Sequence, residues 1–455
     1  MIPFYLMKCQ TRLFNNIVRH FSISESSLSQ INIDELANGV RVITEELCSP
    51  LTCTSIIIQT GSRFENSCNN GISNLIEHMS LSKKDMQESF HNKGIKVNSV
   101  TTRDFQRYTA ISQTEYASDC LEVLSNIITE SEWDDSDIEL QKNIIKSDAI
   151  DLDNNPKSLV FDYLHQTAFQ GTSLGQSVIG PSTNLMNFNK LHICNFLKET
   201  YKPHRIIIVS SGGESHSSIM SKASSTVGYL SVSECKTVDF GCQRYTGSQI
   251  TYRDDSMPYA HIALAVEVPG VTSPEYLKLL VANCLLQSWD RTQGGTDRHG
   301  SPLARAASTS RLCEHFQTFY IAYSDVGLWG VYFIGDPKCL DDMVSNIQDQ
   351  WMHMCTTIVR SDVERAVNIT KLKLAKRMDG LLNSCYDIGL QVLYTSKRRS
   401  LSDLYNELSK ISERTIKDVC FNYIYDKCPV VAAVGPTETL PHYNRIRSGM
   451  YWLRL

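Results

Sequence analysis

The sequence predicts an α+β protein of two related domains, each a mixed β-sheet with packed helices. Three observations predict it. The segment Ser136-Asp-Ile-Glu-Leu-Gln-Lys-Asn-Ile-Ile-Lys146 returns 225 residues later as Ser361-Asp-Val-Glu-Arg-Ala-Val-Asn-Ile-Thr-Lys371, with six identities in eleven. An apolar helical stripe precedes each copy. Strand runs come in neighbouring pairs with helices collected between them, which indicates α+β layers and not a doubly wound sheet.

Taken in order, the chain opens on a segment outside the fold. Met1 to Ser24 holds Lys8, Arg12 and Arg19 and no acid before Glu25. A basic, acid-free leader without an unbroken apolar core reads as a mitochondrial transit peptide over residues 1–30, not a secretory signal. In the first half, Asn38-Gly39 makes a turn before a strand at Val40 to Thr44. A strand at Thr54 to Gln59, a turn at Gly61 and a helix from about Ile72 follow. Ala117, Cys120, Leu121, Leu124, Ile127 and Ile128 form the helical stripe ahead of the first repeat copy. Phe196-Leu-Lys-Glu-Thr-Tyr201 then leads into the strand Arg205 to Val209.

The second half repeats this order. Ile262 to Val268 is a strand, Gly270 a turn, and Ser273-Pro274 a helix entry, since Ser can cap and Pro lacks only an N–H that has no partner there. Gln317 to Tyr323 and Gly327 to Ile334 pair as strands. Leu340, Met343, Val344, Ile347, Trp351 and Met354 form the stripe before the second copy. Cys420-Phe-Asn-Tyr-Ile-Tyr425 leads into Pro429 to Val434. The polar stretch Val232 to Gln249 separates the halves, so the domains are 31–235 and 250–455 with a linker at 236–249.

Composition narrows the function. The chain has 455 residues, 44 Lys+Arg against 49 Asp+Glu, and a net charge of -5. It therefore has no overall basic field, and a nucleic-acid partner is not expected. Its longest apolar runs fall far short of the roughly 20 residues that span a bilayer. The 15 cysteines are scattered, with no CxxC pair, as expected of reduced thiols in a non-secretory compartment. No CxxCH or thiolate cluster offers a haem or iron–sulfur site. The Gly294-Gly295 loop lacks a phosphate-loop Lys-Ser/Thr ending, which argues against nucleotide binding.

The chemical motif is Asn74-Leu-Ile-Glu77-His78. On a helix, positions 74 and 78 share a face with Glu77 beside them. With His at both outer positions this would be an inverted zinc-peptidase motif, two imidazoles holding Zn²⁺ and the glutamate activating its water. Here the first ligand is Asn. A neutral amide oxygen is a poor Zn²⁺ donor beside imidazole. The bland alternative is a polar helix face satisfied by hydrogen bonds or water; a weakly bound zinc or another divalent metal at an oxygen-rich site is the sharper one.

This motif, with Gly61-Ser-Arg-Phe-Glu65, Asn70-Gly71, Thr102-Arg103-Asp104, Thr167-Ala-Phe-Gln-Gly171, Ser288-Trp-Asp-Arg291, Asp325-Val-Gly-Leu-Trp-Gly330 and Tyr443-Asn-Arg-Ile-Arg-Ser-Gly449, resembles the pitrilysin-like metallopeptidase family. The likeness lies in the branch of mitochondrial processing peptidase β-subunits and core 1 proteins of ubiquinol-cytochrome c reductase, and covers nearly all of the chain after the leader. The resemblance implies ligand positions at Asn74, His78 and Asp148, a base at Glu77 and a supporting acid at Asp151. It implies a peptide-binding edge near Asn98, Thr102 and Arg103. Two of the three ligand positions depart from the peptidase pattern, so the expectation is a non-catalytic site with no cofactor, zinc being the alternative.

The resemblance further implies a core 1-like subunit, peripheral on the matrix side of the mitochondrial inner membrane. There it would pair with a homologous core 2-type subunit beside the cytochrome and iron–sulfur subunits of complex III. The alternatives are a processing peptidase β-subunit that removes presequences, and a module that grips presequence peptides without cutting them.

Overall fold

The structure, a computed structural model, describes residues 30–82, 90–129, 133–231, 243–293 and 298–452. The expected leader falls outside them up to residue 29, as do Gly294-Gly295 and residues 232–242 of the boundary stretch.

Two six-stranded sheets share a five-strand pattern. The first contains β1 (Gln30–Glu35), β2 (Arg41–Glu46), β3 (Leu51–Ile58), β4 (Lys96–Thr101), β5 (Gln106–Gln113) and β6 (Ile206–Gly212). Its order is β1-β2-β6-β3-β5-β4, and only β2 and β6 run parallel. The second contains β7 (Gln249–Arg253), β8 (Ala260–Pro269), β9 (Trp289–Asp290), β10 (Cys313–Ala322), β11 (Val326–Gly335) and β12 (Val430–Gly435). Its order is β7-β12-β8-β11-β10-β9, and only β7 and β12 run parallel. The five strands β2-β6-β3-β5-β4 thus match β7-β12-β8-β11-β10 in order and polarity.

Sequence chemistry explains the central strands. β6 and β12 lie inside their sheets and are buried at every residue, so Ile206-Ile-Ile-Val209 and Val430-Val-Ala-Ala-Val434 are apolar without alternation. The β1–β2 turn uses Gly39 at φ 94°, a left-handed conformation that glycine adopts without strain. Asn38 beside it anchors the turn by donating from Nδ2 to the Val227 carbonyl at 2.8 Å.

The helices carry the repeat further. Asp135–Asp153 and Arg360–Met378 are both 19 residues long and are separated by 225 residues at each end. The helices after them, Pro156–Ala168 and Leu381–Thr395, also begin 225 residues apart. These two cross between the halves. Val160, Leu164 and Ala168 pack with Ala263, Ala265 and Leu328 of the second sheet. Cys385, Ile388 and Val392 pack with Ile43, Ile57 and Val209 of the first. With no side chain at Gly389, the helix lies close against Ile57 and Val209. Each sheet therefore packs against a helix that follows the other half's 19-residue helix, so neither sheet is buried by its own half alone.

His165 sits in the first of these crossing helices. Its Nδ1 lies 2.6 Å from the Phe161 carbonyl, which can only accept, so Nδ1 carries the proton and Nε2 accepts from the Tyr323 hydroxyl at 2.8 Å. Burial, helped by the charge of Arg103, holds its pKa well below 6.5 and keeps it neutral. The unfolded chain takes up a proton here as pH falls through 6.5 while the folded chain does not. Stability contributed by neutral His165 is therefore present above pH 6.5 and lost below it, by up to about 1.4 kcal/mol per pH unit. Buried Glu65 and Asp104 act with the opposite sign, because burial raises their pKa values above 4.5 and 3.8. Urea unfolding of wild type and His165→Gln from pH 7.5 to 5 isolates the term. The wild type is expected to lose stability faster on acidification, and parallel curves would refute the assignment.

Candidate functional site

The motif helix, Ile72–Leu81, is set in place at its N-terminus by Glu65. This buried carboxylate accepts from the backbone N–H groups of Gly71 and Ser73 at 2.8 Å and from Asn70 Nδ2 at 2.9 Å. It satisfies the free donors of the first turn and places negative charge at the positive end of the helix dipole. Gly71 has φ 99°, and a Cβ there would lie 2.6 Å from the Ile179 carbonyl oxygen, so only glycine fits the entry. Ile72, Leu75, Ile76 and Met79 then bury one face against Ile138, Ile145, Ile193 and Phe196.

The other face carries the motif. Glu77 Oε1 accepts a 2.7 Å hydrogen bond from Ser99 Oγ on β4. His78 Nε2 lies 3.7 Å from Asp148 Oδ2 on helix Asp135–Asp153, so the implied second and third ligand positions do meet. Glu77, His78, Ser99, Gln141 and Ile144 line a cleft of about 300 Å³. Asn74 is 8% exposed and is not among the residues lining that cleft. Asp151 is exposed one turn beyond Asp148.

A catalytic zinc needs three such donors, typically imidazole nitrogens and carboxylates, with a water in the fourth position. His78 and Asp148 supply two. Position 74 offers only an amide, and among the described residues no group of three or more His, Cys, Asp or Glu could hold a metal ion. The donor set does not fit zinc.

β4 is the edge strand of the first sheet, and Asn98 is exposed on it, open to an added strand. Thr102 and Arg103 follow Asn98 beyond the end of the strand. They lie in the β4–β5 turn, where Thr102 Oγ1 bonds Phe105 O at 2.8 Å and Arg103 pairs with Asp162 at 2.6 Å. Their side chains tie the turn to itself and to the crossing helix Pro156–Ala168.

Sequence reasoning passed over Ser99 and quoted Glu65 without giving it a role. Strand alternation carries a signal for the first, because Val97, Ser99 and Thr101 share one face of β4 and Val97 packs on the core. It also missed a junction between motifs. Arg63, with no side-chain exposure, pairs with Asp104 at 3.2 Å and with Asp325 of the second half at 2.7 Å. Three of the recognised segments thus meet at one buried cation.

A duplicated α+β scaffold whose motif helix carries Glu77 and His78 beside Asp148 has the architecture of a peptidase-like protein. Comparison with known proteins supplies the family. Residues 41–182 match the insulinase family (peptidase family M16), and residues 187–370 match the peptidase M16 inactive domain. The chain belongs to the M16 peptidase family, as the pitrilysin-like resemblance implied. It is 36% identical over 436 residues to "Cytochrome b-c1 complex subunit 1, mitochondrial" of Bos taurus, covering 94% of this chain and 91% of that one. It is 37% identical over 426 residues to "Mitochondrial-processing peptidase subunit beta" of Bos taurus, covering 92% and 87%. A chain of "Complex III2 from Candida albicans, Inz-5 bound" has the same fold, with a TM-score of 0.86 and 24% identity over 93% of this chain and all of that one. The break between the two family matches precedes β6, whereas β6 completes the first sheet.

Proposed function

We propose that this chain is a non-catalytic core 1-like subunit of mitochondrial ubiquinol-cytochrome c reductase, respiratory complex III. It supports assembly and stability from the matrix side of the inner membrane. Identity alone does not choose between the two groups of relatives, at 36% and 37%. The donor set supports the first: a processing peptidase needs its zinc, and position 74 of this helix is Asn where an imidazole would be required. In this reading the chain pairs with a core 2-type homologue and docks against the cytochrome and iron–sulfur subunits, which hold the redox groups. No helix among the described residues is long and apolar enough to cross a membrane, in keeping with a peripheral position.

The second reading is a processing peptidase β-subunit or a presequence-gripping module. Glu77 held by Ser99 and the open edge of β4 favour it, since an extended peptide adding to β4 would pass beside Glu77.

Native fractionation of mitochondria tests the choice. Migration with the cytochrome-bearing complex is expected, together with no stoichiometric zinc and no cleavage of an arginine-containing presequence peptide by the chain with its partner subunit. One zinc per chain, with cleavage abolished by Glu77→Gln, would establish the peptidase instead.

A further inference from the structure

A second cavity, of about 510 Å³, lies where helix Leu381–Thr395 crosses between the halves. Its volume is within the roughly 300–1,000 Å³ range of small-ligand sites, and it shares no lining residue with the Glu77 cleft. The two faces of the crossing helix explain it. Cys385, Ile388 and Val392 pack on the first sheet, while Tyr386, Gln391 and Tyr394 line the cavity. Phe105, Leu277, Leu374 and Leu404 supply apolar walls, and Tyr276 and Tyr320 add aromatic surface with ring centroids 5.4 Å apart.

The charges are unevenly matched. Asp387, with 3% side-chain exposure, is held by Arg377 at 3.1 Å, Arg398 at 2.6 Å and Gln391 at 2.7 Å. The half-exposed guanidinium of Arg399 pairs, among the described residues, with the half-exposed Glu407 at 3.3 Å, a surface pair of small net worth. Of these charged groups, Arg377, Arg399 and Asp387 line the cavity, two guanidiniums against one carboxylate on this side. On the other wall, Asp104 is already engaged by Arg63, the Ser324 N–H and Tyr394.

We propose that this cavity binds an amphipathic monocarboxylate, its apolar chain among Phe105, Leu277 and Leu404 and its carboxylate on Arg399 beside Arg377. Guanidinium suits a carboxylate through parallel N–H donors, and burial of the chain supplies affinity without specificity for its exact length. Thr101 and Thr102 also line the cavity, so the ligand would touch the end of edge strand β4.

Calorimetric titration of the full chain with laurate below its micelle concentration tests this, with methyl laurate as the uncharged control. One laurate per chain is expected. Binding should weaken about tenfold or more for methyl laurate and for Arg399→Glu, as for loss of one charge-assisted contact. It should vanish in Ala322→Phe, whose ring would occupy the cavity. Non-saturable uptake, equal affinity for the ester, or unchanged laurate affinity in Arg399→Glu would overturn the proposal. So would unchanged affinity in a folded Ala322→Phe. If Ala322→Phe does not fold, the exposed Arg399→Glu decides alone.

Discussion

Arg63→Ala is expected to destabilise the folded chain by about 3–5 kcal/mol, the range for removing one partner of a buried ion pair. Arg63 has 0% side-chain exposure, and its Nη2 lies 2.7 Å from both oxygens of Asp325. Its Nη1 reaches Asp104 and Ser324 at 3.2 Å. Deleting the cation strands Asp104, whose side chain is only 7% exposed and whose pKa burial already raises despite the guanidinium. Asp325 is 47% exposed and can recover water, so Asp325→Asn should cost distinctly less. Arg63→Lys should fall between, keeping the charge but losing the second donor arm. Asp104→Asn added to Arg63→Ala should recover part of the loss, because it removes the stranded charge. Urea unfolding followed by tryptophan fluorescence measures all four. A loss below about 1 kcal/mol for Arg63→Ala would show that the cation does not hold the joint between halves.

How much of this was legible in the sequence depends on whether the signal was local. The repeat was legible because Ser136–Lys146 and Ser361–Lys371 sit on helices whose bounds keep the same 225-residue spacing. The buried strands were legible for a similar reason, since a strand covered on both faces must be apolar throughout. The helix exchange was not. The apolar stripe of Pro156–Ala168 demands a partner surface, and both sheets offer β-branched and alanine surface of the same kind, so periodicity cannot choose between them. Nor was the Arg63 junction, whose partner Asp325 is 262 residues away in sequence.

Arg103 shows the same limit from the other side. Its neighbours Thr102 and Asp104 placed it correctly at the end of the edge strand. Its pairing with Asp162 was not legible, because the partner lies 59 residues away on the helix Pro156–Ala168. The motif helix was more readable, because residues 74, 77 and 78 are related by helical spacing alone. Spacing could not show that Ser99 would orient Glu77, nor that Asn74 would be set back from the cleft.

Metal binding is expected to return in Asn74→His with Asp148→Glu. His78 and Asp148 already lie within 3.7 Å of each other, and Glu77 is already oriented by Ser99 at 2.7 Å. The missing element is a nitrogen at position 74, one helical turn from His78. Glu at 148 adds the methylene that extends the carboxylate toward a metal shared by the two imidazoles. Competition with a chromophoric chelator should show one zinc per chain in the double variant and at least about 100-fold tighter binding than wild type, given how strongly imidazole outranks an amide as a zinc donor. Asn74→His alone should supply most of the gain, since aspartate can itself coordinate zinc. Position 74 is the physical obstacle: at 8% exposure the larger imidazole must displace neighbours to reach the cleft. A folded double variant without tighter zinc binding would mean that this burial keeps the ring away from His78. Activity separates the two roles of the site. Zinc bound without peptide cleavage would show that the metal alone does not restore a peptidase, in keeping with the non-catalytic reading.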